Sequence, residues 1–212
     1  HPPAVEAETV RRTFEGRLEF IIDAGPCRHQ IASTVVRVED RKATVLREGA
    51  ISKARIDEAN APTVLFVCTG NTCRSPMAER LLRSMLDRTP RGREFRVLSA
   101  GTGAGHGAVS STEAEIAVRE LGGELSGHRS RPVSISMAED ADLVYVMTRG
   151  HKRILEEWMP ELSSRIVLLD PQGADIEDPI GGTLETYRAS ARRILSCLEK
   201  RMEQILAVGG NP

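Results

Sequence analysis

Apolar residues follow two alternating rhythms along the last two thirds of this chain. Unbroken runs at Val64-Leu65-Phe66-Val67 and Leu143-Val144-Tyr145-Val146-Met147 have the length and β-branched character of buried strands, and the chain reads as strands near 64–67, 95–99, 142–147 and 165–169. Between them the apolar spacing turns helical, near 76–88, 112–121, 150–158 and 184–206. Met77, Leu81, Leu82 and Met85 share one face of the first helix, and Leu184, Tyr187, Ile194, Leu195, Leu198, Met202 and Leu206 line the last. Strands alternating with helices imply right-handed crossovers. They predict an α/β fold, a doubly wound four-stranded parallel sheet with helices on both faces. In such a sheet a ligand sits beyond the carboxyl ends of the strands, where the segment after Val67 would lie.

The first 60 residues lack this alternation. Strand and turn signals run through Leu18–Cys27, Ser33–Val36 and Val45–Ser52, punctuated by Gly25-Pro26. They predict a small β-rich N-terminal fragment over 1–52, a linker over 53–62 and the α/β domain over 63–208. No internal repeat is evident. The opening His1-Pro2-Pro3, without methionine, predicts a processed or incomplete chain.

Composition narrows the function classes. With 212 residues and 40% hydrophobic content, the chain can bury one sizeable core plus an attachment. A net charge of -1 gives no reason to expect nucleic acid or a membrane surface as partner. The apolar runs are too short to span a bilayer, and no signal-peptide pattern is present. Cysteines at 27, 68, 73 and 197 lack the paired spacing of a zinc site or a disulfide framework, which predicts a reducing cytoplasm and no metal.

The candidate chemistry lies in Cys68-Thr69-Gly70-Asn71-Thr72-Cys73-Arg74-Ser75-Pro76. A loop leading from a strand into a helix N-terminus aims successive backbone N–H groups at one point, where the helix dipole adds positive potential. Thr69, Gly70, Asn71, Thr72, Cys73 and Ser75 would so cradle a phosphate. Gly70 allows tight curvature, and Pro76 suits a first helical turn. Arg74 can add two parallel N–H···O bonds. Cys68, at the mouth of the same array, should be ionised well below the pKa of about 8.5 of a free cysteine and attack phosphorus. A leaving alkoxide or phenoxide needs a proton, and Asp178 in Asp178-Pro179-Ile180-Gly181-Gly182 is the candidate donor. Arg74 and the loop amides carry the charge compensation, so the reaction calls for no cofactor.

These motifs, with Glu79, Ser99-Ala100-Gly101, His128 and Ala141–Thr148, resemble the low-molecular-weight protein-tyrosine phosphatases over about residues 62–208. The resemblance implies hydrolysis of phosphorylated protein side chains through a cysteinyl-phosphate. It also implies that Asn71, Ser99 and His128 form a network holding the loop, and that Ser75 supports the thiolate. Cys73 would protect Cys68 through a reversible disulfide, which the spacing permits.

Within the family the chain is most similar to bacterial protein-arginine phosphatases. Thr72 stands where tyrosine-specific members usually have isoleucine, and Ile180-Gly181-Gly182 replaces a pair of tyrosines. Phosphoarginine is therefore favoured, with phosphotyrosine the alternative. Ile180 itself departs from the phenylalanine that arginine-phosphatase members often carry. Arsenate reduction needs a further relay cysteine, and only Cys197, inside a helical pattern, follows Cys73. The N-terminal segment, with Ser33-Thr34-Val35-Val36, resembles the end of a YrdC-type threonylcarbamoyl-adenylate synthase domain. Its reading is a packing fragment, with a nucleotide or RNA-precursor role as the alternative.

Overall fold

The computed structural model describes residues 3–39 and 42–208; the His1-Pro2 opening lies outside them. The chain divides into two compact units, His1–Asn60 and Ala61–Pro212.

The first unit contains α1 (Ala7–Thr13), β1 (Val35–Glu39), β2 (Lys42–Arg47) and α2 (Lys53–Ala59). β1 and β2 pair antiparallel, with Val36 opposite Val45 and Val38 opposite Ala43. The Thr34 hydroxyl accepts from the N–H groups of Gly49 (3.1 Å) and Ile51 (3.0 Å), which pins the segment before β1 to the one after β2. Gly49 is required there, because a Cβ would lie 2.2 Å from the Ala32 carbonyl oxygen. The segment read as a linker holds α2, capped by Ser52, whose hydroxyl accepts from the Arg55 N–H. The Leu18–Cys27 run forms no strand. The run pairs with neither open edge of the two-stranded sheet, since β1 and β2 pair only with each other. Phe20 and Ile22 of that run are 76% and 85% exposed, and none of the described residues of this unit is buried.

The second unit has the predicted doubly wound architecture. Its order is β3 (Thr63–Cys68), α3 (Arg74–Leu86), β4 (Arg96–Gly101), α4 (Thr112–Glu120), α5 (Ile135–Glu139), β5 (Leu143–Val146), α6 (Arg149–Trp158), β6 (Ile166–Leu168) and α7 (Leu184–Ala207). The four strands are parallel in the order β4-β3-β5-β6. β3 is central, with Val64 beside both Val97 and Leu143. The chain leaves β3 for β4 on one side and later returns past it to β5 on the other. The carboxyl end of β3 is thus the topological switch point, where the crossovers part and leave a crevice.

All six residues of β3 are buried, as an apolar run covered on both faces requires. Val64 and Phe66 face α3, α4 and α7, where Met77, Leu81, Leu82, Tyr187, Ile194 and Leu198 complete one core layer. Leu65 and Val67 face Leu155, Met159 and Leu162 in the other. By the same alternation Cys68 falls on the α3 side. In α3 the buried residue of the last turn is Leu86, with Met85 only half-buried. The short α5, capped by Ser134, has too few residues to show a period and was not anticipated.

Phe66→Ala should lower unfolding free energy by about 3–5 kcal/mol in a denaturant titration, whereas Phe20→Ala should change it by less than about 0.5 kcal/mol. Equal effects would contradict the placement of the core.

Candidate active site

β3 ends at Cys68 and the chain reverses through residues 69–73 into α3. The left-handed residue in this turn is Asn71, at φ 53°, rather than Gly70. Gly70 has ordinary backbone geometry, and a Cβ there would meet only the Thr72 hydroxyl at 3.5 Å, so its expected role in the curvature falls to Asn71. Asparagine is among the few side chains that tolerate this region, and here the surroundings hold it firmly. Its Nδ2 donates to Ser75 Oγ (3.0 Å) and Ser99 Oγ (2.9 Å), and its Oδ1 accepts from the Arg131 N–H (3.0 Å). The Asn71 carbonyl oxygen meets His128 Nε2 at 2.7 Å. The structure therefore brings Asn71, Ser75, Ser99 and His128 together. β4 closes the other side, where Thr102 and Gly103 donate to the carbonyls of Cys68 (2.9 Å) and Thr69 (3.0 Å). Gly101 lets them approach, since a Cβ would stand 2.3 Å from the Thr69 oxygen.

Cys68 Sγ lies 2.9 Å from Ser75 Oγ and accepts from the Asn71 N–H at 3.3 Å. Ser75 Oγ also lies 3.1 Å from the Ala100 carbonyl. One hydroxyl proton serves two acceptors. A protonated Cys68 can donate to Ser75 while Ser75 donates to Ala100, whereas a thiolate takes the Ser75 proton for itself. Cys68 is only 3% exposed. Burial pushes its thiol up, opposed by the Ser75 hydroxyl and N–H, the Asn71 N–H and the Arg74 charge. The sequence predicts the downward pull but not the enclosure, and enclosure sets the net direction.

Arg74 is buried at the first position of α3. Its NH1 donates to the Ile176 carbonyl at 3.0 Å, and its NH2 forms an ion pair with Asp178. Its Nε is buried with no hydrogen-bond partner among the described residues. Asp178, whose side chain is 38% exposed, sits on a loop tied down by the Ile176 N–H to the Met147 carbonyl (2.8 Å) and by the Arg149 N–H to Asp175 Oδ1 (2.8 Å). Beyond it Pro179 accepts from the Gly182 N–H in a tight turn, and Ile180 is 69% exposed. No aromatic residue stands in that turn. The Thr72 hydroxyl has one hydrogen-bond partner among the described residues, Cys73 Sγ at 3.6 Å. Cys73 Sγ is buried against the hydroxyls of Tyr187 and Ser111, both at 3.5 Å. Cys197 lies in the core on α7, and the four cysteines are free thiols.

Three contributors were not anticipated as such. Glu79 accepts from Ser99 Oγ at 2.5 Å; its spacing four residues after Ser75, on the inward face of α3, was the available signal. Tyr187 carries an apolar periodicity that hides its hydroxyl contact with Cys73. His151 meets Thr69 Oγ1 through Nε2 at 2.9 Å, and nothing local to either residue announces the contact.

Two segments of the chain match known protein families. The profile of the family described as low molecular weight phosphotyrosine protein phosphatase matches residues 63–208. That of the Sua5/YciO/YrdC family, described as telomere recombination, matches residues 1–49. A protein-arginine-phosphatase from Geobacillus stearothermophilus is 37% identical over 146 residues, covering 67% of this chain and 95% of the relative. The low molecular weight protein-tyrosine-phosphatase Wzb from Escherichia coli is 34% identical over 145 residues, covering 66% and 90%. Among solved structures, a YwlE arginine phosphatase with its active-site cysteine mutated to a phosphorylated serine superposes with a TM-score of 0.64 at 32% identity, over 68% of this chain and 96% of that one.

Asn71→Ala removes the side-chain bonds and leaves a Cβ in the left-handed region, so stability should fall by about 2–4 kcal/mol. Asn71→Gly relieves the backbone term alone and should recover about 1 kcal/mol of that loss. Identical melting curves for the two variants would show that the left-handed turn is not what Asn71 supplies.

Proposed function

Because this chain belongs to the low molecular weight phosphotyrosine protein phosphatase family, and is thereby a cysteine-dependent protein phosphatase, we propose that its preferred substrates are proteins phosphorylated on arginine. The observation that carries this reading is the wall beyond Asp178, where Pro179, Ile180, Gly181 and Gly182 offer no ring to stack on a phenyl group. The Thr72 hydroxyl, whose hydrogen-bond partner among the described residues is the Cys73 sulfur, supports the same reading as a polar contact for a phosphoramidate nitrogen. The similarity to a protein-arginine-phosphatase points the same way.

In the proposed reaction the Cys68 thiolate attacks phosphorus in line with the departing nitrogen. The S–P bond forms as the P–N bond breaks, and Asp178 delivers its proton to the guanidine nitrogen. Asp178, now a carboxylate, takes a proton from the water that attacks the cysteinyl-phosphate, which releases inorganic phosphate and the thiolate. The N–H groups of residues 69–75 and Arg74 hold the equatorial oxygens throughout. Arg74 enters this role by exchange. Its NH2 leaves Asp178 and, together with the unpartnered Nε, forms a two-pronged bond to phosphoryl oxygens, which frees the half-exposed Asp178 carboxylate to take a proton from solvent and then act on the leaving group. Asn71, Ser99 and His128 hold the loop in shape, and Ser75 donates to the thiolate.

Cys68→Ser should abolish turnover while retaining inorganic phosphate or vanadate binding, and Arg74→Lys should lose most activity, because a point charge cannot reproduce the fork. Turnover of Cys68→Ser near the wild-type rate would remove Cys68 from the mechanism.

Initial rates on phosphoarginine and phosphotyrosine, side by side, test the substrate. The kcat/KM ratio should favour phosphoarginine, and Thr72→Ile should move it towards phosphotyrosine by about 1–3 kcal/mol, the scale one pocket contact controls. A preference for phosphotyrosine in the unaltered protein would replace the arginine reading with the tyrosine one.

A further inference from the structure

His151 is 5% exposed, and the family motifs quoted above leave it without a task. Its ring bridges two hydroxyls. Nδ1 lies 2.9 Å from Thr148 Oγ1 and Nε2 lies 2.9 Å from Thr69 Oγ1. Burial, and then the nearby Arg74 cation, hold the imidazole down to about 4, against the opposing carboxylates of Asp178 and Asp175, so the ring is neutral at physiological pH. The hydrogen-bond pattern assigns its tautomer. Thr148 caps α6 by accepting from the His151 N–H, and its own proton is then best placed on Nδ1. That leaves the ring proton on Nε2, donated to Thr69.

Thr69 directly follows Cys68, and its hydroxyl has no other partner among the described residues. The stretch that carries His151 also holds the loop of Asp178. Met147 accepts from the Ile176 N–H, and Arg149 donates to Asp175 through its N–H and to the Gly173 carbonyl through its guanidinium. We propose that His151 is a positioning residue, whose Nε2–H ties the loop of the nucleophile to the same β5–α6 junction that anchors the loop of the acid. One imidazole thereby sets the separation between the attacking sulfur and the proton donor. The proposal rests on Cys68 and Asp178 acting as described above, but not on which phosphorylated residue is the substrate.

The test is a double-mutant cycle with Thr69→Val and His151→Leu, followed on both phosphoarginine and phosphotyrosine. Each single variant should lower kcat about tenfold on both substrates with KM within about twofold, because displaced groups weaken the transition state more than binding. The double variant should be no slower than the slower single one. His151→Gln, which restores an N–H donor near the Nε2 position, should recover part of the loss. Nitrogen NMR of histidine-labelled full chain should show a neutral, Nε2-protonated His151 at pH 7, with the Nε2 signal displaced in Thr69→Val. Additive losses, or an unchanged kcat in Thr69→Val, would overturn the proposal. A wild-type preference for phosphotyrosine would overturn only the arginine reading, and turnover by Cys68→Ser would overturn only the assigned nucleophile.

Discussion

The left-handed turn at Asn71 is the constraint on which the site depends. β3 must deliver Cys68 to the carboxyl end of the sheet and reverse at once into α3, and the reversal passes through one backbone conformation that most side chains avoid. Asn71 offsets that cost with its own amide, which reaches Ser75 on α3, Ser99 on β4 and the Arg131 N–H. One side chain so joins the helix, the neighbouring strand and the following segment around the sulfur. Ser99 in turn donates to Glu79, so the network ends on a buried carboxylate rather than an open valence.

The same closeness has an electrostatic consequence. Packing Sγ against Ser75 and Asn71 supplies the donors that a thiolate needs, yet it removes the water that would otherwise solvate the charge. Ser75 mediates between these demands, since its proton can serve Ala100 or the sulfur. Arg74 shows the same economy: held by Ile176 and Asp178, it keeps one buried nitrogen unpaired beside the loop.

Much of this was legible in the sequence, for physical reasons that also explain the rest. Val64–Val67 is apolar without alternation because both faces of β3 are covered, and together with the alternation of strands and helices that implies a parallel sheet and a site at its carboxyl end. Cys68, Arg74 and Ser75 lie within one strand-loop-helix segment, where local spacing determines what meets. The position of the turn was misread because glycine is the usual left-handed residue, whereas long-range bonds shift that role to Asn71. Contacts between distant segments leave no local period: Thr69 with His151 spans 82 residues, and Cys73 with Tyr187 spans 114. In the first unit, the strand signal of Leu18–Cys27 failed because its apolar side chains are not buried, and strand formation depends on tertiary pairing and packing that residue types do not report.

The proposed chemistry turns on one bond, between phosphorus and Cys68 Sγ, formed once Arg74 has released Asp178. The most direct measurement is rapid acid quench of the enzyme mixed with phosphoarginine, followed by mass spectrometry of the peptide that carries Cys68. A phosphoryl group on Cys68, accumulating within the first turnover and lost as phosphate is released, is the result this account predicts. Turnover at the full rate with Cys68 unmodified at every time point would contradict it.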